Sequence, residues 1–274
     1  MKKTLLLGIF LMALATTGHA APKKSVPNTE KALELNAQKG VEWQRDTQRY
    51  LAKGGATAKK GDLRLSATEI GAEYDNASSK KPKIKRLYAV GDVRASTPTE
   101  QAAADKAEYF VQKSYAILEG EKIVLKTEKQ TLVAREKVEY WVAQKRVVAS
   151  GGAVVESDGN TLKADVLTVY LMNARKGSSN LTVERMEAKG HVVIVTPQEQ
   201  ATADTGQYFQ TKGIAILKGN VEIRRAGSIL KGSEATVNLQ TGISTLVNKT
   251  YSVDGKTGRV EGILRLEELG SVDN

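Results

Sequence analysis

Apolar residues in this chain recur at every second position, in short runs closed by polar turns. Met186, Ala188, Val192 and Ile194 alternate with polar neighbours through Gly190. From Ile229 to Leu239, the residues Ile229, Ala235, Val237 and Leu239 share a face that Lys231 and Ser233 interrupt. Period-two alternation bounded by Ser157-Asp158-Gly159-Asn160 and Arg225-Ala226-Gly227-Ser228 predicts half-buried antiparallel strands joined by hairpins. Ala102 to Phe110 is rich in Ala, Glu and Lys and could start a helix on propensity alone. Its counterpart Leu162 to Tyr170, LKADVLTVY, is β-branched, so both segments are predicted as strands.

The pattern repeats. Ala89 to Gly120 returns without a gap as Ala188 to Gly219, 99 positions later, with 17 of 32 residues identical. The smallest unit reads A-x-G-x-V, an alternating stretch, a polar turn, then A-D-x-x-x-Y. Its glycines are Gly54, Gly91, Gly120, Gly151, Gly190 and Gly219. Two strands from each unit, with a few more at the ends, predict roughly 12–16 strands. The glycines sit inside strands, where they mark bulges or bends. Between Leu63, Leu65, Ala67 and Ile70, Ala72, Tyr74 the apolar face changes from odd to even numbers, which requires a bulge near Thr68. Bends at equivalent places would fold one long sheet over on itself, a jelly-roll or taco-like sandwich with an apolar lumen. An ordinary sandwich whose glycines serve packing alone fits the periodicity equally.

Composition narrows the class. Lys2 and Lys3 precede the apolar run Leu5 to Ala15 and small residues at Gly18 and Ala20, the form of a secretory signal cleaved after Ala20. The expected organisation is a signal peptide at 1–20, a flexible linker at 21–30, a β-domain over 31–250, and a degenerate terminal strand and tail over 251–274. There is no cysteine, so the core holds the fold without a disulfide. The formal net charge of +10 favours an anionic partner: nucleic acid, anionic lipid headgroups or phosphorylated glycans. Export makes nucleic acid the least accessible of these.

Catalytic chemistry finds little support. Two histidines and no cysteine build neither a multi-His metal site nor a Cys-His pair. Asp105 and Asp204 recur with the repeat, and no cofactor motif is present. Tyr74, Tyr109, Tyr140, Tyr170 and Tyr208 occupy the unit-closing position and read first as a structural ladder. The run SSKKPKIKR places Lys80, Lys81, Lys83, Lys85 and Arg86 together, a solvated loop or a contact for anionic headgroups.

The units AVGDVRAS…AAADKAEY, ASGGAVVESDGNTLKADVLTVY and LKGNVEIRRAGSILKGSEATVNL resemble those of the OstA/LptA family of periplasmic lipopolysaccharide-transport proteins. LELNAQKGVEWQRDTQRYLAKGGATA, from Leu33, resembles the family's first strands. Two departures stand out: Glu-Gly-Glu-Lys after Leu118 replaces a Gly-Asn, and Ala134-Arg135 replaces an Ala-Asp.

The resemblance implies an all-β, antiparallel, repeat-built β-jellyroll and a periplasmic, non-catalytic protein. It further implies lipid A of lipopolysaccharide as ligand, and a bridge between inner-membrane and outer-membrane transport components that carry similar jellyrolls. Head-to-tail self-association through sheet edges follows from the same analogy. By that analogy Leu33, Leu35, Leu63, Leu65, Val93 and Tyr109 line the lumen, with Lys80, Lys81, Lys83, Lys85 and Arg86 available to headgroup phosphates. On the residues alone, two other classes remain open: a β-repeat scaffold or surface protein without a lipid ligand, and a glycan-acting β-repeat enzyme. Bound lipid A separates the first from the second, and a clustered carboxylate pair would mark the third.

Overall fold

The computed structural model describes residues 34–75, 83–174, 181–238, 241, 243–248 and 260–263. The first 33 residues, with the expected signal peptide, linker and Leu33, lie outside them, as do Lys80 and Lys81. Eighteen strands account for the regular structure of the described residues. They are β1 (Glu34–Asn36), β2 (Gly40–Gln44), β3 (Arg49–Lys60), β4 (Leu63–Asp75), β5 (Lys83–Ser96) and β6 (Glu100–Phe110). Next come β7 (Tyr115–Glu119), β8 (Ile123–Thr127), β9 (Gln130–Ala134), β10 (Lys137–Trp141), β11 (Arg146–Ser157) and β12 (Asn160–Asn173). The last are β13 (Leu181–Val195), β14 (Glu199–Phe209), β15 (Ile214–Arg225), β16 (Ser228–Asn238), β17 (Ile243–Val247) and β18 (Glu261–Ile263).

All belong to one antiparallel sheet in which long strands consecutive in the chain pair and the short strands extend or complete the rows. The long strands bend midway, so the sheet folds into two leaves. Leaf A holds β2, β7, β10, β17 and one half of each long strand; leaf B holds β1, β8, β9, β18 and the other halves. The count exceeds sixteen because short pairs replace long strands. Gly120 to Lys122 separates β7 from β8 beside β6, and Arg135-Glu136 separates β9 from β10 beside β11. These are the two places where the units depart from the repeat pattern.

The bends explain the repeat motif. Register slips at Lys53/Ala56, Val90/Val93, Ser150/Ala153, Lys189/Val192 and Lys218/Val221. Within each slip both intervening residues have left-handed φ, from 46° at Asp92 and His191 to 85° at Gly151. Thr68 stands opposite Gly54-Gly55, where the parity change in β4 requires an irregularity. Along the crease, Ala56 faces Ala67, Val93 faces Ala104, Ala153 faces Ala164, and Val192 faces Ala203. The Ala of A-D therefore lies buried on the inner side of the crease, as Ala104, Ala164 and Ala203. The Asp reaches the bulge on the next strand: Asp204 accepts from the Asn220 amide at 2.9 Å, Asp165 meets His191 Nδ1 at 2.8 Å, and Asp105 accepts from the Glu121 backbone N–H at 3.0 Å.

Turns follow the predicted chemistry. Asp158-Gly159 and Ala226-Gly227 form two-residue hairpin loops with positive φ throughout, closed by Ser157 opposite Asn160 and Arg225 opposite Ser228. Thr97, Thr127 and Thr196 close three further turns of leaf B, their hydroxyls accepting backbone N–H bonds from Glu100, Gln130 and Glu199 at 3.1–3.2 Å.

Two sequence expectations are corrected. Ile229 does not share a face with Ala235 and Val237: the bend in β16 shifts the parity, so Leu230 and Gly232 lie on the inner side and Ile229 on the outer. The tyrosines do not form one ladder either. Tyr109, Tyr140 and Tyr208 occupy one inner row of leaf A, with Ala116 between the first two. Tyr170 belongs to the outer face, beneath Arg185.

Candidate functional site

The inner faces of the leaves meet differently at the two ends of the molecule. From Leu118 onward the facing residues include Ile123, Leu132, Val138, Leu167, Leu181, Val192 and Leu217, all buried in one aliphatic cluster. Toward the N-terminal edge a second cluster consists of Ala52, Ala56, Ala58, Ala67, Ile70, Ala89 and Val93, five of its seven members alanines. Side chains this short cannot meet across the gap. A cavity of about 100 Å³ remains between the leaves.

Leu35 from β1, Leu63 and Leu65 from β4, Val93 from β5 and Tyr109 from β6 all line this cavity. Leaf A contributes Ile70, Ala72, Leu87 and Ala107 to the opposite wall, and leaf B adds Ala58, Ala95, Ala102 and Ala104. Five of the six lumen candidates thus converge, and the sixth, Leu33, lies outside the described residues. The alanine wall escaped the sequence reading. Its signal was the run Ala102-Ala103-Ala104 in a strand, where larger β-branched residues would ordinarily stand.

The groove surface runs out to the edge strand β2. Val41 and Trp43 continue the inner rows through Ala52 and Tyr50 and are about half exposed, at 52% and 54%. Trp43 stacks on Tyr50 at 5.7 Å and donates its indole N–H to the Tyr74 hydroxyl at 2.6 Å, which ties the rim strand to β3 and β4.

The basic run separates into different environments. Lys85 pairs with Asp75 at 3.1 Å, and Arg86 bridges Glu73 at 2.8 Å and Glu108. Burial alone would raise the Glu108 carboxyl, but the Arg86 guanidinium and Lys106 outweigh it and hold the group below the usual carboxylate range. Lys83 is exposed at the start of β5, with Lys80 and Lys81 outside the described residues. The structure brings none of the three described cations to the cavity. Burial raises the phenols of Tyr109 and Tyr140, the latter to about 12, so both rings stay neutral.

Among the described residues no group of three or more His, Cys, Asp or Glu side chains is placed to hold a metal. What the cavity offers is apolar area between the two leaves.

Comparison with known proteins agrees with this geometry. Lipopolysaccharide-assembly protein LptD of Pseudomonas putida strain GB-1 is 32% identical over 124 residues, which is 40% of this chain and 13% of that protein. LptD of Nitrosomonas eutropha is 33% identical over 85 residues, 31% of this chain and 12% of that protein. The chain therefore matches only about an eighth of the length of these relatives. The crystal structure of LptH from Pseudomonas aeruginosa, described as the LptA-homologous periplasmic component of the lipopolysaccharide transport device, shares 11% identity. It aligns over 86% of this chain and 97% of its own, with a TM-score of 0.23, a superposition too loose to add to the argument. The family described as LptA/(LptD N-terminal domain) LPS transport protein matches twice in tandem, over residues 35–143 and 135–243, and on those matches, which span most of the chain, the protein belongs to that lipopolysaccharide-transport family.

Proposed function

We propose that the protein binds the acyl chains of lipopolysaccharide between its two leaves and carries them across the periplasm. The observation that supports this most directly is the alanine-walled cavity on which Leu35, Leu63, Leu65, Val93 and Tyr109 converge. Each methylene transferred from water into such a gap contributes about 0.8 kcal/mol, so acyl chains of ten or more carbons gain far more there than any polar ligand. The reading is of a carrier, not a catalyst. It joins the inner-membrane and outer-membrane transport components through jellyrolls like its own, and extends head to tail through the edge of β1 and β2 and the opposite edge of β17 and β18, leaf A meeting leaf A and leaf B meeting leaf B.

Leu35→Asp tests it. The position is half-buried on a three-residue edge strand, so the fold has little to lose, whereas a carboxylate placed among acyl chains has no partner there. Native mass spectrometry of protein purified from a membrane-bearing source should show lipid A or lipopolysaccharide on the wild type and at least tenfold less on the variant at equal melting temperature. Equal loading of both, or no lipid on the wild type, overturns the proposal.

A further inference from the structure

On the outside of leaf B, behind the cavity, the sheet forms a second concavity of about 650 Å³. Lys59, Arg64, Arg94 and Lys126 line it, with Glu34 as its one acid and Ser66 and Gln101 among its polar neighbours. All four cations are exposed. Lys59 faces Arg64 directly across β3 and β4, an arrangement of like charges that costs stability. Arg94 meets Asp92 at 3.0 Å in an exposed pair. Among the described residues, Lys59, Arg64 and Lys126 have no such partner.

The internal repeat shows that the fold does not need these charges. The row Lys59, Arg64, Ser96, Gln101, Lys126 crosses β3, β4, β5, β6 and β8 in register. The equivalent row in the second half is Glu156, Thr161, Val195, Gln200, Arg224. There an acid replaces Lys59, a neutral residue replaces Arg64, and Arg224 is bonded to Glu222. Val193 takes the place of Arg94. The same backbone is thus built twice: in the second copy Lys163 and Lys231 share the outer face with Glu156 and Glu222, and Glu222 pairs with both Arg224 and Lys231, whereas the concavity of the first copy sets four cations against Glu34 and lies behind the cavity.

We infer that this concavity seats a phosphorylated saccharide, the headgroup of the lipid whose chains lie inside. The lipid's identity rests on the function proposed above; the phosphosaccharide chemistry rests on the concavity itself. A flat bilayer cannot enter a concave surface, while pockets of 300–1,000 Å³ suit ligands of sugar size. Lys59 and Lys126 lie four strand spacings apart, about 19 Å, which gives separate anchors to more than one phosphate. β1 supplies Leu35 to the inside and Glu34 and Asn36 to the outside, so tail and head would meet around an edge three residues long.

The test copies the second repeat into the first: Lys59→Glu, Arg64→Thr and Arg94→Val together, residues this backbone already carries elsewhere. The probes are a water-soluble bisphosphorylated disaccharide without acyl chains, its unphosphorylated counterpart, and vesicles of anionic phospholipid. By calorimetry the wild type should bind the bisphosphorylated sugar, more weakly as salt rises. The triple variant should bind it at least tenfold more weakly while displacing a fluorescent fatty acid from the groove as the wild type does. Equal sugar affinity in both proteins, equal affinity for the unphosphorylated sugar, or binding of the vesicles but not the sugar overturns the inference. Failure of the fatty-acid arm alone counts against the acyl groove and leaves the sugar seat standing.

Discussion

Glu100 is the residue at which local chemistry is most at odds with its surroundings. It opens β6 on the inner side of leaf B, is only 5% exposed, and neither carboxylate oxygen has a hydrogen-bond partner. Burial pushes its carboxyl from 4.5 to about 7. A folded-state value above the unfolded one means that the native protein holds the proton more tightly. Stability is therefore greatest below pH 4.5 as far as this group is concerned, falls as pH rises toward 7, and stays low above it. The upper bound on the loss is about 3 kcal/mol. Glu100→Gln should remove that slope, and thermal melts from pH 5 to 8 should show the variant more stable than wild type at pH 8. Parallel melting curves for both proteins would show that the carboxylate finds solvent or a partner.

At the scale of elements, two devices hold the folded sheet. One is the bulge. Gly190 has φ +75°, and a Cβ there would run into the Asp165 carboxylate; Gly152 has a similar φ of +77° with nothing within 4 Å. Both alanine variants carry the cost of left-handed backbone, about 1–2 kcal/mol, but only Gly190→Ala also breaks the Asp165 contact. Gly190→Ala should therefore lower the denaturation midpoint clearly more than Gly152→Ala, and equal losses would remove the Asp from the bend. The other device is a cross-strand row on the outer face of leaf A: Arg86, Phe110, Tyr115, Trp141, Arg146, Tyr170, Arg185 and Phe209 stand in register from β5 to β14. Arg146 lies 4.3 Å from the Trp141 ring and Arg185 3.7 Å from that of Tyr170. A double-mutant cycle on Arg146 and Trp141 should return a coupling of about 0.5–2 kcal/mol. A coupling indistinguishable from zero would reduce the row to coincidence of register.

The same elements show what could be read from sequence. Alternation and the repeated G-x-V and A-D motifs revealed strands, bends and their order, because each is a local demand of backbone geometry. Leu35, Leu63, Leu65, Val93 and Tyr109 were reachable from the inner-face parity together with the family resemblance. The Arg/aromatic row was not, because its members come from separate strands and meet only once register is known. The same holds for Lys59, Arg64, Arg94 and Lys126, which are unremarkable singly and scattered over 68 positions. The run SSKKPKIKR drew attention through contiguity, yet the sheet ties Lys85 and Arg86 into ion pairs. Ile229 was placed on the wrong face because Gly232-Ser233 bends the strand without the full G-x-V signature.

For the whole molecule, the decisive property is that the sheet does not close among the described residues. β3 ends the sheet on one side with short β1 and β2 for cover, and β16 ends it on the other with β17 and β18. An open edge presents unpaired N–H and C=O groups, and proteins either blunt it or use it for strand addition. Here the edges carry apolar side chains: Val41 at 52% and Trp43 at 54% exposure on one side, Val260 at 44% and Ile263 at 65% on the other. Two different edges make a heterologous contact, which propagates instead of closing, and each added copy would lengthen the apolar groove. Val41→Glu should disable one edge and Ile263→Glu the other, both positions being exposed enough to spare the fold. Sedimentation at rising concentration should show wild type forming a ladder of oligomers and each variant reduced in growth. An equimolar mixture of the two variants should stop at the dimer, because the intact edge of one meets the intact edge of the other and both remaining ends carry a charge. Continued growth of either variant alone, or a mixture with no dimer, would sink head-to-tail assembly.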